Sequence, residues 1–385
     1  MSWYQTVAAL LAIAAAFYPS IVGRYQTVRI ILDNVPGKMI EVDQFAAKTI
    51  EFENVLRNCE DVIMVPEHKY AILSCDPGRD RWNTVLGIFI TPNISGRLYH
   101  YDYTDTAGES NGLYPIELHQ YDKVIHALGV ELHKPTNTLF FVNHDADGPT
   151  IEVFQYQPQQ HRAVLKRSIS HPLLNAPNNL VALNENELYI TNDHYFKPEY
   201  SRPLNLLETY LALPGGTVTY VNLATNAFRT VARAPFANGI VMFNATTLAV
   251  ASTTFPGVYL YSVDAATHAL TLQQTIRAGF FTDNLSMDGD GKLLIAGHPF
   301  PMALGTVARE NHRYDFEGTG EGLDVKERPR AASGVAEWDG NAEGVLRLLY
   351  LGNEYGTSTT AVRDVREKIG IVAGLYEKGI LVWRE

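Results

Sequence analysis

Six stretches of this chain repeat one short design, and the repetition limits what it can fold into. They read Tyr70-Ala-Ile-Leu-Ser74, Thr138-Leu-Phe-Phe-Val-Asn143, Glu187-Leu-Tyr-Ile-Thr-Asn192, Thr247-Leu-Ala-Val-Ala-Ser252, Lys292-Leu-Leu-Ile-Ala-Gly297 and Lys368-Ile-Gly-Ile-Val-Ala-Gly374. Each is short, apolar and rich in β-branched residues, as buried strands are. Polar turns stand before them, among them Pro66-Glu-His-Lys69, Lys134-Pro-Thr-Asn137, Asn184-Glu-Asn186 and Asp288-Gly-Asp-Gly291. Further strands follow several of them, such as Thr150 to Tyr156, Val258 to Ser262 and Ile380 to Trp383. A lone hairpin cannot bury both faces, so equivalent units must stack on one another. Six antiparallel sheets around one axis make an all-β, six-bladed β-propeller. A sandwich does not account for six equivalent hairpins.

In such a ring the strand before each turn is innermost, and its start lies near the axis. The six starts read Glu60-Asp61-Val62, Leu128-Gly129-Val130, Asn178-Asn179-Leu180, Asn238-Gly239-Ile240, Asp283-Asn284-Leu285 and Thr359-Thr360-Ala361. Four of the six bring an Asp, Glu or Asn to one central point. Hard oxygen donors with two or three negative charges suit calcium, which takes six to eight oxygens in flexible geometry. The Asp288-Gly-Asp-Gly291 run looks like the start of a calcium loop, but Lys292-Leu-Leu294 follows where ligands should stand. It is read as a hairpin turn.

The rest of the composition narrows the setting. A formal net charge of −11 argues against nucleic acid as a partner, because phosphate binding needs a basic face. The apolar run Val7 to Phe17, within a stretch reaching Val22, reads as a secretory signal or signal-anchor. Residues 1–23 are therefore assigned to that segment and 24–385 to a single propeller domain. The sequons at Asn93 and Asn244 are glycosylation candidates, and that at Asn284 is badly placed for a glycan. The expected location is the secretory pathway, where Cys59 and Cys75 could form a disulfide.

Particular stretches resemble the paraoxonase/arylesterase family of six-bladed propellers: Asn178-Asn-Leu-Val-Ala-Leu183, Thr191-Asn-Asp-His-Tyr-Phe196, Phe236-Ala-Asn-Gly-Ile240, Asp283-Asn-Leu-Ser286 and Gly297-His-Pro299. The resemblance implies a central Ca2+ held by Glu60, Asn178, Asn238, Asp283 and Asn284. It implies a second ion at Asp61, the carbonyl of Val130 and Asn179, where the family usually has Asp in place of Asn179. It also implies lactone and ester hydrolysis in which a pair of histidines activates water. One of that pair matches His144, but the other position is Leu128. His126 lies two residues earlier, which on a strand displaces a side chain by about 6–7 Å. The family's disulfide between the chain ends has no counterpart here, and Cys59 and Cys75 could instead pair locally.

His144, His298 and Tyr195 are the catalytic candidates, while His194 is read as structural. A helix is expected from Pro203 to Leu213, with Leu204, Leu207 and Leu211 along one face that either packs into the core or serves as a lid or a membrane-facing patch. The other membrane candidate is the N-terminal segment. Two enzyme classes follow. One is a calcium-dependent lactonase or arylesterase. The other rests on a similarity to fungal paraoxonase-like propellers that act as hetero-Diels–Alderases, joining a quinone-methide-type diene to a terpene alkene. Leu128 favours this second, non-hydrolytic pericyclase, because water would quench the diene. Either class takes a small apolar or polycyclic substrate. A binding propeller without catalysis would not be expected to keep the axial oxygen ligands.

Overall fold

A computed structural model describes residues 3, 21–105, 110–316, 318–341 and 343–385. It forms the six-bladed propeller. The innermost hairpins are Cys59–Val65 with Tyr70–Cys75, Ala127–His133 with Thr138–Asp145, and Pro177–Ala182 with Glu187–Asn192 in blades 1 to 3. They are Ala237–Asn244 with Thr247–Ser252, Phe281–Met287 with Leu293–His298, and Ser358–Asp364 with Ile369–Gly374 in blades 4 to 6. Blade 6 closes the ring with a strand from far up the chain: Ala47–Glu51 pairs antiparallel with Ile380–Arg384.

The repeated strands read as unbroken apolar runs because both faces of each blade are covered. Neighbouring side chains on one strand serve different cores. Phe141 packs between blades 1 and 2, and Phe140 between blades 2 and 3. Leu293 and Leu294 divide in the same way between the cores on either side of blade 5. Both phenylalanines and both leucines are fully buried, and each contributes about 1.5–3 kcal/mol by leaving water.

Three helices sit at one end of the ring. Residues 21–33 are helical (α1), and Asn34 ties this helix down by donating to the Gly279 carbonyl at 2.9 Å. The second helix is Arg202–Tyr210 (α2) and the third Pro301–Glu310 (α3). Of these three the sequence predicts α2, and extends it too far: Ala212 already has a φ of 45°; the N-terminal signal-like helix expected over residues 1–23 meets only the start of α1. Its buried residues are the polar Asn205 and Glu208, while Leu204, Leu207 and Leu211 are exposed. Glu208 explains this inversion, because its carboxylate accepts from the backbone N–H groups of Tyr195 and Phe196 at 2.9 and 2.8 Å.

Apart from Trp3 and the start of α1, the N-terminal signal-like segment lies outside the described residues. No helix among the described residues is long and apolar enough to cross a membrane.

Candidate active site: an axial cavity over six bulges

The innermost hairpin of every blade slips register at its axial end, and that of blade 4 slips again between Met242 and Asn244. The axial slips fall between Cys59 and Asp61, Ala127 and Val130, Pro177 and Leu180, Ala237 and Ile240, Thr282 and Leu285, and Ser358 and Thr360. A bulge places two residues against one partner and re-aims their side chains. Here it lets successive residues serve the two ends of the axis. Glu60, Leu128, Asn178, Asn238 and Asp283 line a cavity of about 350 Å³ beneath the helices. Their neighbours Asp61 and Asn179 face the opposite mouth. The ring is too narrow for six side chains at the second position. A Cβ on Gly129 would stand 2.7 Å from the Asn179 Cα, and one on Gly239 2.4 Å from the Asn284 Cα. These glycines make room for the neighbouring blades' amides.

The deeper layer is a closed hydrogen-bond network. Asn179 donates to Asn284 Oδ1 at 2.7 Å, and Asn284 donates to Glu60 Oε1 at 3.2 Å and to Thr360 Oγ1 at 3.0 Å. Asp61 accepts from the N–H of Val130 at 2.9 Å and from Thr360 Oγ1 at 2.9 Å. Burial pushes the Asp61 carboxyl up to about 7.

The layer above it is left incomplete. Glu60 Oε2, Asn178 Oδ1 and Asn238 Oδ1 are buried acceptors without a partner. They come from three blades and share one cavity with Asp283. Orphaned buried oxygens are rare and call for an explanation. Burial, then the neighbouring Asp61 and Asp283, push the Glu60 carboxyl well above its ordinary range. A hard cation would complete all three oxygens and relieve that repulsion. Among the described residues no group of three or more His, Cys, Asp or Glu side chains could hold a metal. The axial donors fit through their amides, in the mixed carboxylate and amide chemistry that calcium accepts.

The histidines divide differently from the sequence-based expectation. His144 does not reach the cavity. Its Nε2 donates to the Pro177 carbonyl at 2.6 Å, its Nδ1 accepts from Thr84, and burial holds its pKa down at about 4. Tyr195 is 62% exposed and is not part of the cavity wall. His126 is a buried structural residue, held by Asp76 at 3.0 Å and by the Pro92 carbonyl at 2.8 Å. His298 does line the cavity, with Nε2 on Asp283 Oδ2 at 2.8 Å and Nδ1 without a partner.

His194, read from the sequence as structural, also lines the cavity. Its Nδ1 meets Asp193 Oδ1 at 2.7 Å and its Nε2 meets Thr209 Oγ1, on α2, at 2.8 Å. The Thr209 hydroxyl has a second partner, the Asn205 carbonyl at 2.8 Å. Turned toward Asn205, the hydroxyl accepts from a protonated imidazole; turned toward His194, it donates to a neutral one. The group therefore suits both protonation states of His194. An Asp placed directly before His is the one sequence sign of this pair.

Cys59 and Cys75 are joined by a disulfide, directly opposite one another across blade 1. It holds the strand that bears Glu60 beside the turn Pro77–Asp80, which carries Arg79 into the cavity wall. Asn58 and Asn311 fix that turn by donating to Asp80 Oδ1 at 2.8 and 2.7 Å.

Comparison with known proteins places the chain in a family. The Arylesterase family model matches residues 82–313. The chain is 30% identical over 178 residues to serum paraoxonase/arylesterase 2 of Rattus norvegicus, covering 42% of this chain and 45% of that protein. It is 29% identical over 222 residues to serum paraoxonase/lactonase 3 of Mus musculus, covering 55% and 60%. The matched region thus spans about half the length of these curated relatives. Among solved structures, a gluconolactonase of Xanthomonas campestris shares the fold with a TM-score of 0.51 at 12% identity, covering 92% of both chains. A luciferin-regenerating enzyme does so with a TM-score of 0.53 at 11% identity, covering 88% of this chain and 95% of the other. Those two likenesses concern the fold alone. The family model covers more than half of the chain and includes four of the six axial starts, and the protein belongs to the arylesterase family.

Proposed function

We propose that the axial cavity hydrolyses lactones or aryl esters with Ca2+ as its cofactor. The observation that carries this reading is the convergence of three partnerless buried oxygens, Glu60 Oε2, Asn178 Oδ1 and Asn238 Oδ1, beside Asp283. Glu60, Asn178, Asn238 and Asp283 would hold the ion directly, with Asn284 bracing Glu60. When bound, such an ion polarises a carbonyl oxygen and stabilises negative charge on it. The chain's own residues supply the rest. Leu86, Phe236, Phe281 and Met302 form an apolar wall that seats the hydrocarbon part of a small substrate. The Asp193–His194 pair takes the place of the expected histidine dyad, with His194 accepting a proton through the Thr209 hydroxyl.

The test is turnover of phenyl acetate and of a medium-chain lactone by the purified protein. Chelation should abolish it and added calcium restore it. His194→Gln should lower kcat by about 10²–10⁴-fold with little change in KM. Chelator-resistant turnover, or none with any ester or lactone, would sink the proposal.

One observation favours the second reading, hetero-Diels–Alder cyclisation. Leu128 makes part of the cavity wall apolar where a histidine was expected, and His144 is withdrawn from it. Leu128→His separates the two readings. It should raise lactone hydrolysis about tenfold or more if a missing base limits the rate. It should reduce cycloadduct formation if dryness of that wall is what matters.

We further propose a secretory location. The Cys59–Cys75 disulfide suits an oxidising compartment, and Asn93 and Asn244 are exposed and open to glycosylation. Asn284 is buried at the axis and is no glycan site. The exposed leucines of α2 are the proposed membrane-facing patch.

A further inference from the structure

Arg79 is an anomaly that the hydrolytic reading does not use. It is 2% exposed, yet it makes a single hydrogen bond, from Nη2 to the Ala127 carbonyl at 2.6 Å. Its Nε is buried without a partner, and among the described residues it forms no ion pair. A buried cation normally finds an anion, because taking it out of water is costly. The other buried arginine, Arg363, shows the usual solution, with Asp288 and Glu337 on either side. Arg79 instead sits in the cavity wall with Leu128, Asn178 and Glu60, whose carboxyl feels its charge but makes no hydrogen bond or ion pair with it. It is firmly placed there, since Asp80 is anchored from two sides and the disulfide begins one residue before Asp76.

We infer that Arg79 receives an ionised oxygen of the substrate or product, so that the cavity selects acidic amphiphiles: a carboxylate or an ionised enol or phenol joined to a hydrocarbon body. The guanidinium is always charged and offers its donors in a fixed plane that matches a carboxylate. The remaining wall accommodates the hydrocarbon. This inference rests on the reading that the axial cavity is the active site, and it names which molecules that site prefers. It also predicts that the acid released by ester cleavage lingers as an inhibitor.

Calorimetric titration of the intact protein with decanoate, 1-decanol and acetate tests it. Decanoate should bind at least about tenfold more tightly than decanol, as expected for one charge-assisted hydrogen bond. Acetate should bind far more weakly than decanoate, because it lacks the hydrocarbon. Arg79→Met should erase the preference for decanoate, and Arg79→Lys should keep part of it. An unchanged melting temperature of the Lys variant shows that the fold survives. Equal binding of decanoate and decanol by the native protein overturns the inference, as does an undiminished preference in the Met variant. The outcome is separable from that of the hydrolase proposal. A protein that prefers decanoate but cleaves no ester keeps the inference and loses the hydrolase. One that cleaves esters without discriminating does the reverse.

Discussion

The two mouths of the propeller axis are built from the same strands, often from adjacent residues, yet they differ in how they treat polar groups. At the far mouth, which encloses about 860 Å³, no described lining residue has a buried side-chain oxygen or nitrogen without a partner. Arg363 is bonded to Asp288 and Glu337, and Lys292 reaches Glu337 at 3.1 Å. At the helix-covered mouth the unpaired atoms gather: Glu60 Oε2, Asn178 Oδ1, Asn238 Oδ1, His298 Nδ1 and Arg79 Nε. A satisfied network is a structural device. Several unsatisfied groups around one small cavity are kept for something that arrives. The volumes alone would point to the other end, since the larger opening is the more nearly complete one.

This contrast can be broken by experiment. The largest effect is expected at the incomplete end. Glu60→Gln removes a charge that the cation needs and should lower kcat/KM for ester cleavage by about 10³-fold, roughly 4 kcal/mol. A calcium titration of the variant should show the matching loss of affinity, and a loss of less than tenfold would mean that Glu60 is not a main ligand. The complete end should respond in stability instead. Asp288→Ala strips a buried partner from Arg363 and should cost about 3 kcal/mol by urea unfolding, with kcat/KM changed less than twofold. If activity falls with stability unchanged, the far mouth is more than structural.

The smallest effect concerns His144, a satisfied group that sequence similarity had marked as catalytic. Its folded pKa of about 4 lies below the ordinary value of 6.5. Between those values the unfolded chain binds a proton that the folded one refuses, so stability falls as pH drops through this window. The histidine should cost about 2 kcal/mol between pH 7 and pH 5. His144→Gln should flatten that part of the stability curve and leave catalysis within a few-fold. A collapse of activity at an unchanged melting temperature would return His144 to the catalytic set.

The blades were legible in the sequence because two-sided burial leaves an apolar run, and six such runs leave few alternatives. The axial oxygens were legible for a related reason: each stands at the same place in its repeat. What was not legible is what bulges and packing decide. Tyr195 follows His194 in a conspicuous stretch, yet its side chain points out to solvent while Glu208 takes its N–H. Helices α1 and α3 rest on the ring and left no clear periodicity. Arg79 lies in Asp76-Pro-Gly-Arg-Asp-Arg81, which in sequence looks like any hydrated turn. Only the structure shows that its guanidinium is dry.

The pairing of Ala47–Glu51 with Ile380–Arg384 sets the timing of folding as well as the shape of the ring. The two strands are separated by roughly 330 residues, so their contact has the high sequence separation that slows folding. On the ribosome the first of them must wait, an unpaired edge, until all the blades have been made. Blade 1, which carries Glu60 and the disulfide, also has to find blade 6 across that closure, since Thr360 Oγ1 donates to the Glu60 carbonyl at 3.0 Å. The proposed cation site is therefore finished only when the circle is, and ion binding there would report ring closure in a refolding experiment. A nascent chain of five blades would hold all four proposed ligands, Glu60, Asn178, Asn238 and Asp283, yet bind the ion poorly for want of the closing blade.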